Sequence, residues 1–445
     1  MIVNDRLAQV DQSNPTELGA AMHQLMTALY PICRSITGDG VRQSLRLLQT
    51  QIPLTLHEVP TGTPVFDWTV PQEWNIRDAY VKNARGEKVI DFQQHNLHVL
   101  NYSVPVDRRM PLAELKEHLY SLPDQPQSIP YRTSYYSENW GFCLAHDQLL
   151  QLEEGEYEVY IDSTLADGHL TYGELILPGT SPETILISCH CCHPSLCNDN
   201  LSGMVLSTYL AKALIEQRAT VSHRYTYRFL FIPGTIGSIT WLSLHEEEAH
   251  QIQHGLVVAC VGDEGPLTYK KSRRGDAEID RAVAHVLAQR NQPYTIVDFA
   301  PLGYDERQYC SPGFDLAVGS LSRTPYGRFP QYHTSDDNLS FVTAAALGDA
   351  WATYWAVLQL LEQNRTYINL SPKGEPQLGR RGLYGAFGGK KDAKASEVTM
   401  LWVLNFADGQ HSLLDIAERS GYGFELVAEV AATLQTHGLL KEATR

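Results

Sequence analysis

The chain has no apolar run near the roughly 18 residues that a membrane-crossing helix needs, so no span is expected. Positive charge is scarce: 35 Lys and Arg stand against 51 Asp and Glu, for a net charge of −16. A chain this acidic lacks the basic face that phosphate backbones demand, and nucleic acid is not an expected partner. The first nine residues, Met-Ile-Val-Asn-Asp-Arg-Leu-Ala-Gln, have no basic stretch followed by an apolar one, so no secretory signal is expected. Cysteine is sparse as well, eight in 445 residues. Several of the eight are adjacent, which does not make a disulfide framework in a chain this long. Together these features suit a reduced, cytoplasmic protein. Internal repeats and low-complexity tracts are missing too.

What remains is ordinary globular composition, 43% apolar and 19% charged, enough for two to three domains at roughly 150 residues each. Residues 13–52 read as two helices with a break at Ser35-Ile-Thr-Gly-Asp-Gly40. From 65 to 179 short strand-like runs (65–70, 95–102, 157–162, 173–177) alternate with Pro- and Gly-rich turns, the texture of a β-rich insert. Its aromatic stretch 131–142 reads as insert core. Residues 180–365 alternate strand and helix, which implies an α/β domain with a mixed sheet covered by helices. A linker at 366–395 and three helix patterns in 396–445 follow. There Ser412 and Asp415 have capping-box spacing, and the arrangement resembles a winged-helix module. Its last helix carries Glu425 and Glu429 and no Lys or Arg, unlike a DNA-recognition helix. Residues 1–64 complete the α/β domain with their helices.

The strongest chemical signal is the stretch 184–203, TILISCHCCHPSLCNDNLSG. A β-branched apolar run at 184–188 ends in His190, His193 and Asp199, with four cysteines between them, and a helix pattern follows from 204 to 215. Strand, polar loop and helix place these ligands at the carboxyl end of a sheet, where open α/β folds build their sites. A catalytic zinc site takes about three ligands from His, Asp and Glu and keeps one position for water. Asp199 and one or both of His190 and His193 supply two of these. His333, in Phe329-Pro-Gln-Tyr-His-Thr-Ser-Asp-Asp-Asn338, is a further candidate. Asp337, four residues on, is placed to accept the other ring N–H of His333 and fix its tautomer. The cysteines read as reduced, half-buried thiols.

Asn198-Asp-Asn-Leu-Ser-Gly203 together with Tyr332-His-Thr-x-x-Asp337 resembles the zinc aminopeptidase family that includes bacterial secreted aminopeptidases and glutamate carboxypeptidase. Over nearly its whole length the chain resembles a bacterial aminopeptidase-like group with a β-rich insert and a C-terminal winged helix, often linked to polysaccharide or secondary-metabolite gene sets. Cys-His-Pro-Ser195, Gly237-Ser-Ile-Thr-Trp-Leu242 and Asp305-Glu-Arg-Gln-Tyr-Cys310 carry that match. The resemblance implies Asp199 as the metal-bridging aspartate, His333 as the last zinc histidine and His190 or His193 as the strand-end ligand.

The departures are as informative. The family's paired glutamates, a general base and a zinc ligand, fall where this chain has Gly234-Thr235, and its second zinc aspartate falls near Ala259. One Zn2+ per chain is therefore expected rather than two. For the base, Glu306 is the first candidate, with Asp263 and Glu264 next; Asp305 and Glu306 also read as a solvated loop. Arg323 and Tyr332 are candidates for binding a substrate carboxylate or an oxyanion. The expected function is zinc-dependent hydrolysis of an amide or peptide bond, in a small peptide or an amide-containing metabolite. The alternative is a degenerate peptidase fold that binds a ligand or serves as a scaffold. A homo-oligomer is compatible with either.

Overall fold

The computed structural model describes residues 14–383 and 393–443, which fall into two compact units. The first lies within 1–277 and 293–352, the second within 278–292 and 353–445.

The run at 184–188 becomes the strand Thr184–His190, buried at every residue. It pairs in parallel with Thr226–Ile232 on one side and Ile252–Val258 on the other. A strand covered on both faces cannot alternate apolar with polar residues, which is why the run is continuous. Val318–Ser322 adds a fourth parallel strand beside Ile252–Val258. Outside this core His169–Leu177 and Thr55–Pro60 add antiparallel pairs at one end, and at the other Leu267–Lys270 lies antiparallel to Val318–Ser322 and parallel to Tyr294–Val297. From Thr184–His190 the chain crosses to one neighbour and then jumps to the opposite one. The connections diverge there and leave a crevice at the carboxyl end of that strand.

Among the covering helices are Pro15–Leu29, started by Asn14, whose side chain accepts from the N–H groups of Thr16 and Glu17, and Ser202–Gln217, apolar almost all round because it is buried. The insert forms its own antiparallel sheet, in the order Lys88–Asp91, Glu73–Lys82, Glu156–Ala166, Val106–Pro111. Trp140 and Phe142 of its aromatic stretch are buried, as core residues should be.

Several sequence expectations change. The 173–177 run, expected in the insert, belongs to the main sheet, where His169–Leu177 pairs with Thr226–Ile232. Residues 95–102 do not make a strand; they hold a single 3-10 turn, Asn96–His98, in which Leu97 and His98 are both buried. The 65–70 run is a small hairpin of Pro64–Val65 and Trp68–Thr69. Tyr294–Val297, not read as a strand from the sequence, is a mostly exposed edge strand.

In the second unit the helices Ala393–Phe406, Leu413–Ser420 and Phe424–Thr436 match the three helix patterns, and the Ser412–Asp415 capping box is formed. Thr366–Asn369, in the stretch expected as a linker, is the middle strand of a sheet with Asp408–Ser412 and Leu440–Glu442. Linker residues 384–392 lie outside the described residues.

One ion pair joins three parts of the first unit. Arg42, in the helix Asp39–Gln49, forks onto Glu73 at the start of an insert strand (Nη1 to Oε2, 2.9 Å), and the same carboxylate accepts the His169 N–H at 2.9 Å. Burial would raise the Glu73 carboxyl, but these donors and the Asn75 amide outweigh it and hold it at about 2. A depressed carboxyl stabilises the fold above its unfolded value and loses that contribution as pH falls through its folded one. Glu73→Gln is therefore expected to cost on the order of 1–3 kcal/mol at pH 7 in urea unfolding. The gap from wild type should narrow steadily below pH 4.5; a gap that is constant with pH would show that the charge contributes nothing.

Candidate metal centre

The centre is built at the crevice. His190 ends its strand, and the next turns are held by two asparagines. Asn200 donates to the Val258 carbonyl at 2.9 Å and accepts the Gly203 N–H at 3.1 Å. Asn198 accepts the Gly262 N–H at 2.9 Å and donates to Asp263 at 3.0 Å. A Cβ on Gly203 would overlap the Val258 carbonyl, which accounts for the glycine ending the motif.

Between the asparagines Asp199 is 2% exposed. Its Oδ1 lies 2.7 Å from His190 Nε2 and its Oδ2 3.0 Å from His333 Nε2. His193 completes the cluster, its ring 4.9 Å from that of His190 and 5.1 Å from that of His333. The ligand atoms of His190, His193 and Asp199 all lie within 4.8 Å of one another. The two histidines that the sequence left as alternatives are thus both present. Burial pushes Asp199 up, but the imidazoles of His193, His190 and His333 outweigh it and hold the carboxyl well below its usual range. Burial pushes His193 well below the usual imidazole range, so it is neutral and its lone pair is available. A buried carboxylate with an imidazole on each oxygen and a third imidazole beside them is a donor set that zinc takes.

Asp337 does not reach His333. Its N–H closes a turn on the Thr334 carbonyl (3.1 Å), and its carboxylate accepts the N–H groups of Asn198 at 2.6 Å and Asp199 at 2.9 Å. It steadies the ligand loop from beneath, and burial raises it to about 7.

The expected bases are engaged elsewhere. Asp305 and Glu306 are fully buried, not a solvated loop. Glu306 pairs with Lys270 and accepts the Tyr304 N–H at 3.0 Å and the Tyr326 hydroxyl at 3.3 Å. Asp305 accepts the Ser238 hydroxyl at 2.7 Å, and burial raises it to about 6. Asp263 accepts from Asn198, from the Thr324 hydroxyl (2.6 Å) and from the Gly265 N–H (2.7 Å), while Glu264 is exposed. Arg323 pairs with Asp349 and donates to the Gly265 carbonyl at 2.6 Å, so its guanidinium serves the fold. Tyr332 stacks on His333 at 3.9 Å and 14°.

Two residues that the sequence did not single out shape the centre. The Tyr304 ring lies 4.0 Å from that of His190 and occupies the space beside Gly234, where a Cβ would overlap it. The position that the resemblance gives to a glutamate is thus filled by a tyrosine from another loop. Tyr131, from the insert, packs edge-on against His193 and His333. Tyr304 belongs to no spaced motif, and Tyr131 was read with the 131–142 stretch as insert core, so neither was marked as a site residue. Near Ala259, in place of an acidic group, Ala259, Cys260 and Phe329 form an apolar cluster with Tyr332 against it. All eight cysteines are free thiols.

Residues 23–364 match a family model described as a domain of unknown function, DUF4910. The chain belongs to the DUF4910 family. Residues 365–442 of this DUF4910 member match a winged helix-turn-helix model. A Clostridium acetobutylicum protein, named for polysaccharide biosynthesis and an aminopeptidase-like domain, is 52% identical over 428 residues, 96% of this chain and 98% of that one. A crystal structure from the same organism, named as a peptidase, superposes with a TM-score of 0.92 at 51% identity, over 97% of this chain and 98% of that one. The zinc aminopeptidase of Bacillus subtilis gives 0.55 at 12% identity (79% of this chain, 95% of that one). A peptidase M28 precursor from Shewanella amazonensis gives 0.52 at 14% (79% and 97%). The last two share the fold alone. The aminopeptidase-like mixed sheet and the winged helix expected from the sequence are both present. Among the described residues no helix is long and apolar enough to cross a membrane.

Gly234→Ala should force Tyr304 off His190 and cost about 1–3 kcal/mol, as overpacking usually does. Chemical denaturation measures this, and an unchanged midpoint would show that the ring is free to move.

Proposed function

We propose that this chain is a hydrolase of amide bonds that works with one zinc ion, held by His190, His193 and Asp199, with His333 on the second oxygen of the same carboxylate. The observation that carries this reading is the single buried carboxylate ringed by three imidazoles at the carboxyl end of the central strands. Three donors suit a catalytic site because they leave a position open. The apolar cluster at Ala259 and the ring beside Gly234 support one ion rather than two. Zinc bound there would polarise an amide carbonyl and acidify water.

The protein's own groups divide the remaining work. Asp199 stays ionised and balances the ion's charge. His333, with 31% of its side chain exposed, is the imidazole of the cluster suited to receive a proton and pass it to a leaving amine. Burial raises the Tyr304 hydroxyl well above 10, so near neutral pH it is a hydrogen-bond donor and not a base. It suits an oxygen that gains negative charge as the amide is attacked. Glu306, committed to Lys270, supports Tyr304 through its backbone N–H and is not the base in this scheme. The substrate class is a small peptide or an amide-containing metabolite; the relative named for polysaccharide biosynthesis favours an amide on a saccharide intermediate.

Purified protein is expected to carry about one zinc per chain, lost in Asp199→Ala and in His190→Ala. Hydrolysis of a panel of aminoacyl and N-acyl amides should vanish in both variants. Tyr304→Phe should retain the metal and lower kcat by about 10²- to 10³-fold, the usual cost of an oxyanion donor. Metal-loaded wild type inactive on every amide tested would favour a ligand-binding protein on a peptidase fold, and metal-free wild type would overturn the zinc site.

A further inference from the structure

The loop carrying His333 is held from outside the main sheet, by residues 125–131 of the insert. Tyr131 N–H donates to the His333 carbonyl at 2.7 Å, and Ser335 N–H to the Ile129 carbonyl at 2.9 Å. Ile129 N–H donates to Ser335 Oγ at 3.0 Å, the Ser128 hydroxyl to Asp336 at 2.6 Å and the Gln125 amide to the Pro330 carbonyl at 3.0 Å. Pro130 and Thr334 add an isolated antiparallel bridge. His333 itself has φ 55°, a left-handed conformation that a side chain keeps only where its surroundings over-determine it. The insert supplies a large part of those surroundings.

The Tyr131 ring then reaches into the centre. It lies 5.0 Å from the His193 ring at 61° and 5.1 Å from the His333 ring at 87°, edge-to-face contacts that fix ring orientation. Leu97 and Leu196 back it, and its hydroxyl is hydrogen-bonded to that of Tyr135 at 2.9 Å. Two imidazoles that face one carboxylate therefore share one aromatic wall, and the insert supplies it.

We propose that Tyr131 is a positioning residue of the metal centre and that the insert is a structural component of that centre. Its ring sets the orientation of His193 and His333, and the 128–131 backbone holds the loop that presents His333. This rests on the metal reading above. A His193 ring free to turn offers its lone pair to the ion for only part of the time, and a loosened His333 no longer holds the second oxygen of the ligand Asp199, so both losses appear in affinity; groups that orient metal ligands are typically worth about 10- to 100-fold.

The test uses the full chain as wild type, Tyr131→Phe, Tyr131→Leu and the double variant Ser128→Ala/Ser335→Ala. Zinc affinity is read by competition with a chromophoric chelator, and the visible band of bound cobalt reports ligand geometry. Tyr131→Phe keeps the ring and should bind within about threefold of wild type, whereas Tyr131→Leu should bind about 10- to 100-fold more weakly with a shifted cobalt band. The double variant, which removes two links to the His333 loop, should weaken binding by about three- to tenfold. A folded Tyr131→Leu protein with wild-type affinity and an unshifted band overturns the proposal. Should that variant fail to fold, the double variant decides, and wild-type affinity there overturns it equally. Wild-type protein that takes up neither zinc nor cobalt would defeat the metal reading and this proposal with it. Metal binding in wild type that the leucine change leaves untouched would defeat this proposal alone.

Discussion

A buried carboxylate is the constraint on which the rest of the first unit depends. Asp199 is almost fully removed from water, and a charge so placed is tolerated only with partners that offset its desolvation. The fold provides them from three directions: His190 from a strand end, His333 from a distant loop and His193 from the turn between. Asp337 then fixes the backbone beneath Asp199, and the two asparagines tie that backbone to the neighbouring strand ends. His193, held neutral by burial, offers a lone pair that suits a cation better than it suits a carboxylate. On the proposed reading, the same electrostatics that make the cluster costly without an ion favour binding one.

The departures from the zinc aminopeptidase pattern have a steric basis. Gly234 and Tyr304 belong together, since a side chain on the first would occupy the space of the ring on the second. Loss of a glutamate there coincides with a half-buried tyrosine whose ring lies beside His190. At Ala259 the replacement is wholly apolar. On the proposed reading, a centre altered in these two places suits one ion rather than two and relies on donors such as Tyr304. Among the described carboxylates around it, Glu306 and Asp263 each have their oxygens occupied by protein donors.

Much of this was legible in the sequence, and the reasons for the rest are specific. A fully buried parallel strand that ends in His190 leaves a continuous apolar run, and the Asn198–Gly203 motif has a spacing that chemistry requires, so sheet, crevice and ligand loop could be read locally. His333 was legible through its neighbours in sequence. The partner of Asp337 was not, because a turn at 334–337 aims the carboxylate at a backbone more than a hundred residues away. Glu306 was misjudged for a similar reason: charge in a polar stretch suggests solvent, and only the fold brings Lys270 over it. Tyr131 and Tyr304 act through ring faces delivered by long-range packing, which leaves no periodicity or spacing to detect. In the second unit the strand Thr366–Asn369 was concealed by the Gly- and Pro-rich stretch that follows it.

Anomalous diffraction at the zinc edge from crystals of the wild-type chain grown with zinc tests the central claim most directly. The account predicts one strong peak per chain in the crevice, about 2.0–2.2 Å from nitrogen atoms of His190 and His193 and an oxygen of Asp199. Two peaks roughly 3.5–4 Å apart, the spacing of paired catalytic ions, or a crevice with no peak at all would contradict it.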